Sequence, residues 1–92
     1  MVIQIVETIV GIGPRVYGTI ENGTINIGDT VILNHEGKQK YLVVGDKCLS
    51  WNHNYVQTGI IGQSVGITFK GTNMSEFSVG DTLNGYLSNE IN

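Results

Sequence analysis

Cysteine and proline occur once each, as Cys48 and Pro14, and only five lysines and arginines stand against eight aspartates and glutamates. Each scarcity excludes something. A lone cysteine makes no internal disulfide, so packing alone must hold the fold, and a reducing compartment suits it. No charged-then-apolar leader opens the chain, because Gln4 and Glu7 interrupt the apolar residues from Met1 onward; the expected location is the cytoplasm. No apolar run approaches the about 20 residues that cross a bilayer, so no membrane partner is expected. The net charge is −3, and the basic residues Arg15, Lys38, Lys40, Lys47 and Lys70 are scattered. A nucleic-acid footprint normally shows as a basic stripe, and none is visible here. A sustained 3.6-residue apolar period is missing too, which argues against a helical bundle.

Glycine, in contrast, is abundant: 13 in 92 residues. Glycine is costly inside helices and useful at turns and bulges, so this richness favours an all-β barrel or sandwich with many corners. The length suits one domain, residues 1–92, ordered over about 2–87 with a frayed tail at 88–92.

The stretch from Gly11 to Leu33 organises the rest. Two β-patterned runs, Arg15 to Glu21 and Thr24 to Leu33, flank Asn22-Gly23, a pair suited to the two φ > 0 positions of a tight hairpin. Val2 to Val10 reads as a first strand, broken by Gly11-Ile12-Gly13-Pro14, with Pro14 expected at a bulge or edge. After a turn at Asn34 to Gly37, Lys38 to Val44 reads as a strand that Gly45-Asp46 ends. Cys48 to Thr58 lacks periodicity and is expected to be a long loop. Ser64 to Phe69 forms a strand, Lys70 to Asn73 a turn, and Ser75 to Val79 a short helical or 3-10 turn. Thr82-Leu83 begins the last strand. One internal echo stands out. Ile25–Val31 and Phe77–Leu83 share an apolar–x–apolar–Gly-Asp-Thr–apolar pattern, which predicts two equivalent corners where Gly supplies an unusual backbone angle and Asp bonds locally.

The chemistry-bearing residues form no catalytic constellation. Gly11-x-Gly13 is followed by no helix and reads as a β-bulge rather than a dinucleotide loop. Cys48, His53, His35 and Asp46 lack the paired spacing of a structural zinc site. A Cys–His pair without an orienting third group makes no nucleophile. Glu7, Glu21, Asp29 and Asp81 read as solvated or turn residues. The expectation is no enzyme, no cofactor and no metal. Among the aromatics, Phe69 and Tyr41 are expected in the core, while Trp51 and Tyr55 are the foremost contact residues. Tyr17 is a further stacking residue, and Arg15 and Lys70 are expected on corners, where they serve solubility or meet a partner.

Gly11-x-Gly13, Val16-x-Gly18, Glu21-x-Gly23, Ile27-Gly28-Asp29, Gly62-x-x-Val65-Gly66-Ile67, Lys70-Gly71 and Val79 to Leu83 occur in this order. The series resembles the second domain of translational GTPases such as elongation factor Tu, from about Val6 to about Leu83. The resemblance implies a closed six-stranded antiparallel β-barrel of the translation-protein type. It also implies a binding role in translation, with RNA, the ribosome or a translation factor as partner. In that family the barrel helps hold the aminoacylated end of tRNA. The corresponding positions here are Gln4, Ile5 and Glu7 on the first strand, Tyr17 before Gly18, Ser64 near the fifth strand, and Asp46 near the fourth. These differ from the family's residue types, so the scaffold carries over and the pocket does not. No G-x-x-x-x-G-K-[ST] cradle occurs, since Gly37-Lys38 is followed by Gln39. A second expectation follows from the acidic balance: another protein, or a second copy of the chain, as partner.

Overall fold

The computed structural model describes residues 1–21, 23–49, 54–56, 58–59 and 61–85. They form β1 (Ile5–Ile9), β2 (Gly13–Thr19), β3 (Ile25–Asn26), β4 (Thr30–His35), β5 (Lys38–Leu49), β6 (Thr58–Gly59), β7 (Ser64–Phe69) and β8 (Thr82–Gly85), plus one 3-10 turn at Met74–Glu76. Six strands make one sheet in the order β1-β2-β7-β5-β4-β8, while β3 and β6 pair separately. Every pairing is antiparallel.

Alternation along the strands builds the core. Val16, Val65, Ile67, Phe69, Val44, Leu42, Val31, Leu33 and Leu83 turn to one side and bury there, joined by Ile3, Ile20, Ile25 and Phe77. Phe69 and Phe77 stack with centroids 5.5 Å apart. Lys47 also lies on this inner side, wholly buried, and its ammonium donates to the Ile25 carbonyl. Burial pulls its pKa below the ordinary lysine value, with Asp29 opposing.

The expected all-β antiparallel architecture is present, and the six-stranded ladder itself is not closed. β1 and β8 remain edge strands. They are linked by the residues just before β1: Val2 bridges Thr82, and the Ile3 amide donates to Asp81, that of Gly80 to Ile3 and that of Leu83 to Met1, each at 2.8 Å. Further along, β1 faces the 3-10 turn, whose bonds close on themselves and offer no ladder.

The two Gly-Asp corners match in detail. Gly28 and Gly80 take φ of +90° and +98°. Asp29 Oδ2 accepts from the Asn26 amide, and Asp81 Oδ2 from the Ser78 amide, each at 2.8 Å. Both glycine amides then donate across the fold, to Val44 and Ile3. Asp81 does more than Asp29, because His35 Nδ1 lies 2.7 Å from its carboxylate. Beside it Lys40 pairs with Glu76, so the inner side of the β4–β5 hairpin end grips residues 74–81.

Other expectations fail for physical reasons. The runs flanking Asn22-Gly23 are not paired: β2 lies between β1 and β7, and β4 between β5 and β8. Gly28 splits the second run into β3 and β4, and a turn signal says nothing about which strand becomes the neighbour. Asn22 itself lies outside the described residues, as does the expected tail. The tight hairpin is instead Glu36-Gly37, with φ of +51° and +79°. Gly45-Asp46 does not end β5 but makes a bulge opposite β7, between Val44 and Asp46, and the strand runs on to Leu49. Gly11 and Ile12 lie in the loop joining β1 to β2, closed by the Ile12 amide on Ile9, and Gly13 opens β2 opposite Ile9 rather than making a bulge. Pro14 precedes the first β7 pairing at Arg15, where its missing N–H breaks no ladder.

Candidate binding face

Residues directly opposite in an antiparallel ladder share a face, so the register assembles the outer surface. Glu7 of β1, Arg15 of β2, Thr68 of β7 and Asp46 of β5 form one row. Ile5, Tyr17, Gly66 and Cys48 form the next.

This face is floored by its own side chains. A β-carbon built on Gly66 would stand 2.6 Å from Tyr17 Cε2 and 3.0 Å from Arg15 Cδ, so both side chains lie across the bare glycine. Tyr17 is 6% exposed and Arg15 4% exposed. The Tyr17 hydroxyl donates to Glu7. Burial raises its pKa above the usual tyrosine value, and that bond adds to the rise. Arg15 Nη2 donates to the Tyr55 hydroxyl at 3.1 Å, with the guanidinium carbon 5.8 Å from the Tyr55 ring centre. Burial alone would lower the Arg15 pKa, but the hydrogen bonds it donates to Tyr17 and Tyr55 more than offset it, and the guanidinium stays charged.

The polar network is incomplete. Arg15 Nη2 is 4.0 Å from Asp46 Oδ1, and Arg15 Nε and Asp46 Oδ1 are both buried without a hydrogen-bond partner. Thr68 Oγ1 is already taken by the Asp46 amide at 3.0 Å. Above them Tyr55 pairs with Cys48 across a short bridge and is 61% exposed.

Beneath Tyr55, Cys48 is fully buried. Burial pushes its thiol above the usual 9.0, against a smaller downward pull from Arg15. The folded state thus holds that proton more tightly than the unfolded state, a contribution fully present below about pH 9 and lost as pH rises through the folded value. Thiolate absorbance followed against pH is expected to titrate above 9.0 in the folded protein and to return toward 9.0 in denaturant.

The expected contact residues divide accordingly. Tyr55 is exposed as expected. Arg15 and Tyr17 lie mid-strand and buried, not on a corner or open surface, because β2 is flanked on both sides and Gly66 gives their side chains room to lie flat. Lys70 is exposed at the end of β7, where its amide donates to the Val43 carbonyl at 3.1 Å. Trp51 and His53 lie outside the described residues. Tyr41 was expected in the core but is 57% exposed. It occupies an outward β5 position opposite Ile32, and the alternation of Leu42 and Val44 was the signal for it. Among the described residues no group of three or more His, Cys, Asp or Glu is placed to hold a metal, and no helix is long and apolar enough to cross a membrane.

Comparison with known proteins agrees with this architecture. The family model described as Elongation factor Tu domain 2 matches residues 13–84. Elongation factor 1-alpha of Thermofilum pendens is 32% identical over 80 residues, which cover 86% of this chain and 17% of that protein. Elongation factor 1-alpha of Pyrobaculum calidifontis is 32% identical over 84 residues, covering 90% of this chain and 18% of that protein. The chain thus spans less than a fifth of the length of these relatives. From the glycine-marked corners, the all-antiparallel sheet and these matches together, the chain belongs to the Elongation factor Tu domain 2 family.

Proposed function

We propose that this chain is a non-catalytic binding module of translation, working in the cytoplasm and meeting RNA, the ribosome or a translation factor through its outer sheet face. The observation that carries the reading is the match over residues 13–84 to a translation-factor domain, combined with an outward Tyr55 standing on a fixed polar floor. In this reading Tyr55, Trp51 and Lys70 meet the partner, while Arg15 and Tyr17 hold Tyr55 in place from below. The seam of Met1–Ile3 with Gly80–Leu83 closes the curled sheet into a barrel in solution.

The test is a titration with structured and single-stranded RNA across salt. Binding that weakens as salt rises supports phosphate contacts, and no binding even at low salt removes RNA as the partner. A second reading, contact with another protein or a second copy, draws support from the net charge of −3. The exposed apolar side chains Val10, Val79 and Ile61 favour it too. Light scattering after size exclusion tests the self-association version, for which a clean monomer at all concentrations is the adverse result.

A further inference from the structure

The row Glu7–Arg15–Thr68–Asp46 is interrupted between its two inner charges. Thr68 stands between its ladder partners, Arg15 on β2 and Asp46 on β5. Over it the two charged side chains approach each other and stop with Arg15 Nη2 4.0 Å from Asp46 Oδ1, too far for a hydrogen bond. Arg15 Nε is a donor and Asp46 Oδ1 an acceptor, and both are buried with no hydrogen-bond partner. Buried polar groups in native proteins are nearly always paired, through ordered water where no protein group reaches them.

The neighbouring groups are already committed. Arg15 Nη2 donates to the Tyr55 hydroxyl at 3.1 Å, and the Tyr17 hydroxyl donates to Glu7. At the β5 bulge the Asp46 amide turns to Thr68 Oγ1, at 3.0 Å. That bond uses a lone pair of the threonine oxygen and leaves its proton to donate elsewhere. The occupant of the gap must be small, because Tyr55 lies over Arg15 with its ring centre 5.8 Å from the guanidinium carbon. It must also be neutral. An anion would face the Asp46 carboxylate and a cation the Arg15 guanidinium, in a buried site where repulsion is poorly screened.

From this geometry we infer that the gap is a built site for one water molecule, which accepts from Arg15 Nε and from the Thr68 hydroxyl and donates to Asp46 Oδ1. Three bonds of this kind are the usual complement of a buried water. Asp46 thereby becomes a positioning residue: through the water it fixes the guanidinium that holds Tyr55. The inference does not depend on which partner the module meets.

The test uses the whole isotope-labelled chain and reads cross-relaxation between water and the Arg15 Nε proton, in the laboratory and rotating frames. Cross-peaks of opposite sign in the two experiments, the mark of a water held for longer than the molecule takes to tumble, are the expected result. Tyr55→Phe removes the nearest phenolic proton and should keep the peak, so the signal is not relayed through that hydroxyl. Asp46→Asn keeps an acceptor oxygen without the charge and should keep the peak as well. Asp46→Ala should abolish it and speed exchange of the Arg15 Nε proton about tenfold, the scale of one lost hydrogen bond to a buried donor. Because Thr68 is intact in that variant, loss of the peak also excludes relay through its hydroxyl. Circular dichroism melts confirm that each variant is folded; should Asp46→Ala not fold, the parent and Asp46→Asn decide the matter. A parent without the cross-peak overturns the inference. So does a direct bond from the guanidinium to Asp46 that Asp46→Asn weakens as much as Asp46→Ala. Displacement of the peak by inorganic phosphate or by sodium, each added at constant ionic strength, assigns the gap to an ion and overturns it too.

Discussion

Gly18→Ala is expected to cost more than about 3 kcal/mol and to lower the melting temperature by about 15 °C, on the scale for a domain of this size. Gly18 is buried in β2, and a β-carbon there would stand 2.4 Å from the Val2 carbonyl oxygen and 2.9 Å from Met1 Cγ. The side chain of Met1 can swing away, but the main chain of Val2 moves only with its neighbours. Those neighbours are the seam: Ile3 is fully buried, and Met1 and Ile3 exchange backbone bonds with Gly80, Asp81 and Leu83. Each such bond contributes about 1 kcal/mol net, and a buried isoleucine about 2 kcal/mol or more. Displacing them together gives the expected loss. Hydrogen exchange locates it: the amides of Ile3, Gly80 and Leu83 should lose protection before those of β7. An unchanged melting temperature would show that the segment before β1 moves aside freely and that the seam holds nothing.

The second large effect is at Gly66. Gly66→Ala places its methyl 2.6 Å from the Tyr17 ring, and that ring is hemmed in beside β1 by its bond to Glu7. Overpacking of this kind costs about 1–3 kcal/mol. The Tyr17 ring must lift, and Arg15 and then Tyr55 lose their floor. The distinguishing measurement is a double-mutant cycle: on a Tyr17→Ala background, Gly66→Ala should cost much less than on the parent, because the overlap is gone. Additive losses would mean that some other contact makes Gly66 necessary. Any partner that relies on Tyr55 should also bind Gly66→Ala less tightly, since that side chain is held by Arg15 alone among the described contacts.

Local rules accounted for much of the architecture. Ser64–Phe69 alternates so cleanly that its bounds read directly from the chain, since every second side chain there is buried apolar. The paired Gly-Asp corners were legible because their determinants are local: a glycine that adopts positive φ, and an aspartate whose carboxylate reaches back three residues. The 3-10 turn and the short last strand followed from the same punctuation.

Pairing was not legible in this way. Asn22-Gly23 reads as a turn signal, yet β2 pairs on one side with β7, about 50 residues away in register, and loop chemistry has no information about that choice. The bulge at Gly45 was misread as a strand end because a glycine in a β pattern serves equally for either. Nor could residue type sort the aromatics and the arginine. Tyr41 points outward because its strand neighbours Leu42 and Val44 are the ones that fill the core.

Composition and spacing by themselves determined the class of this protein: all-β, cornered by glycine, with no phosphate cradle in its sequence; the ordered motifs added a resemblance to a translation-factor domain. The tertiary structure alone decided which side chains meet the solvent. Arg15 and Tyr17 were drawn down because a strand about 50 residues distant presents them with a glycine, whereas the outward place of Tyr41 was already hinted at by Leu42 and Val44 beside it. Exposure depends on what is packed opposite, and what is packed opposite is a property of the folded chain rather than of any stretch of it.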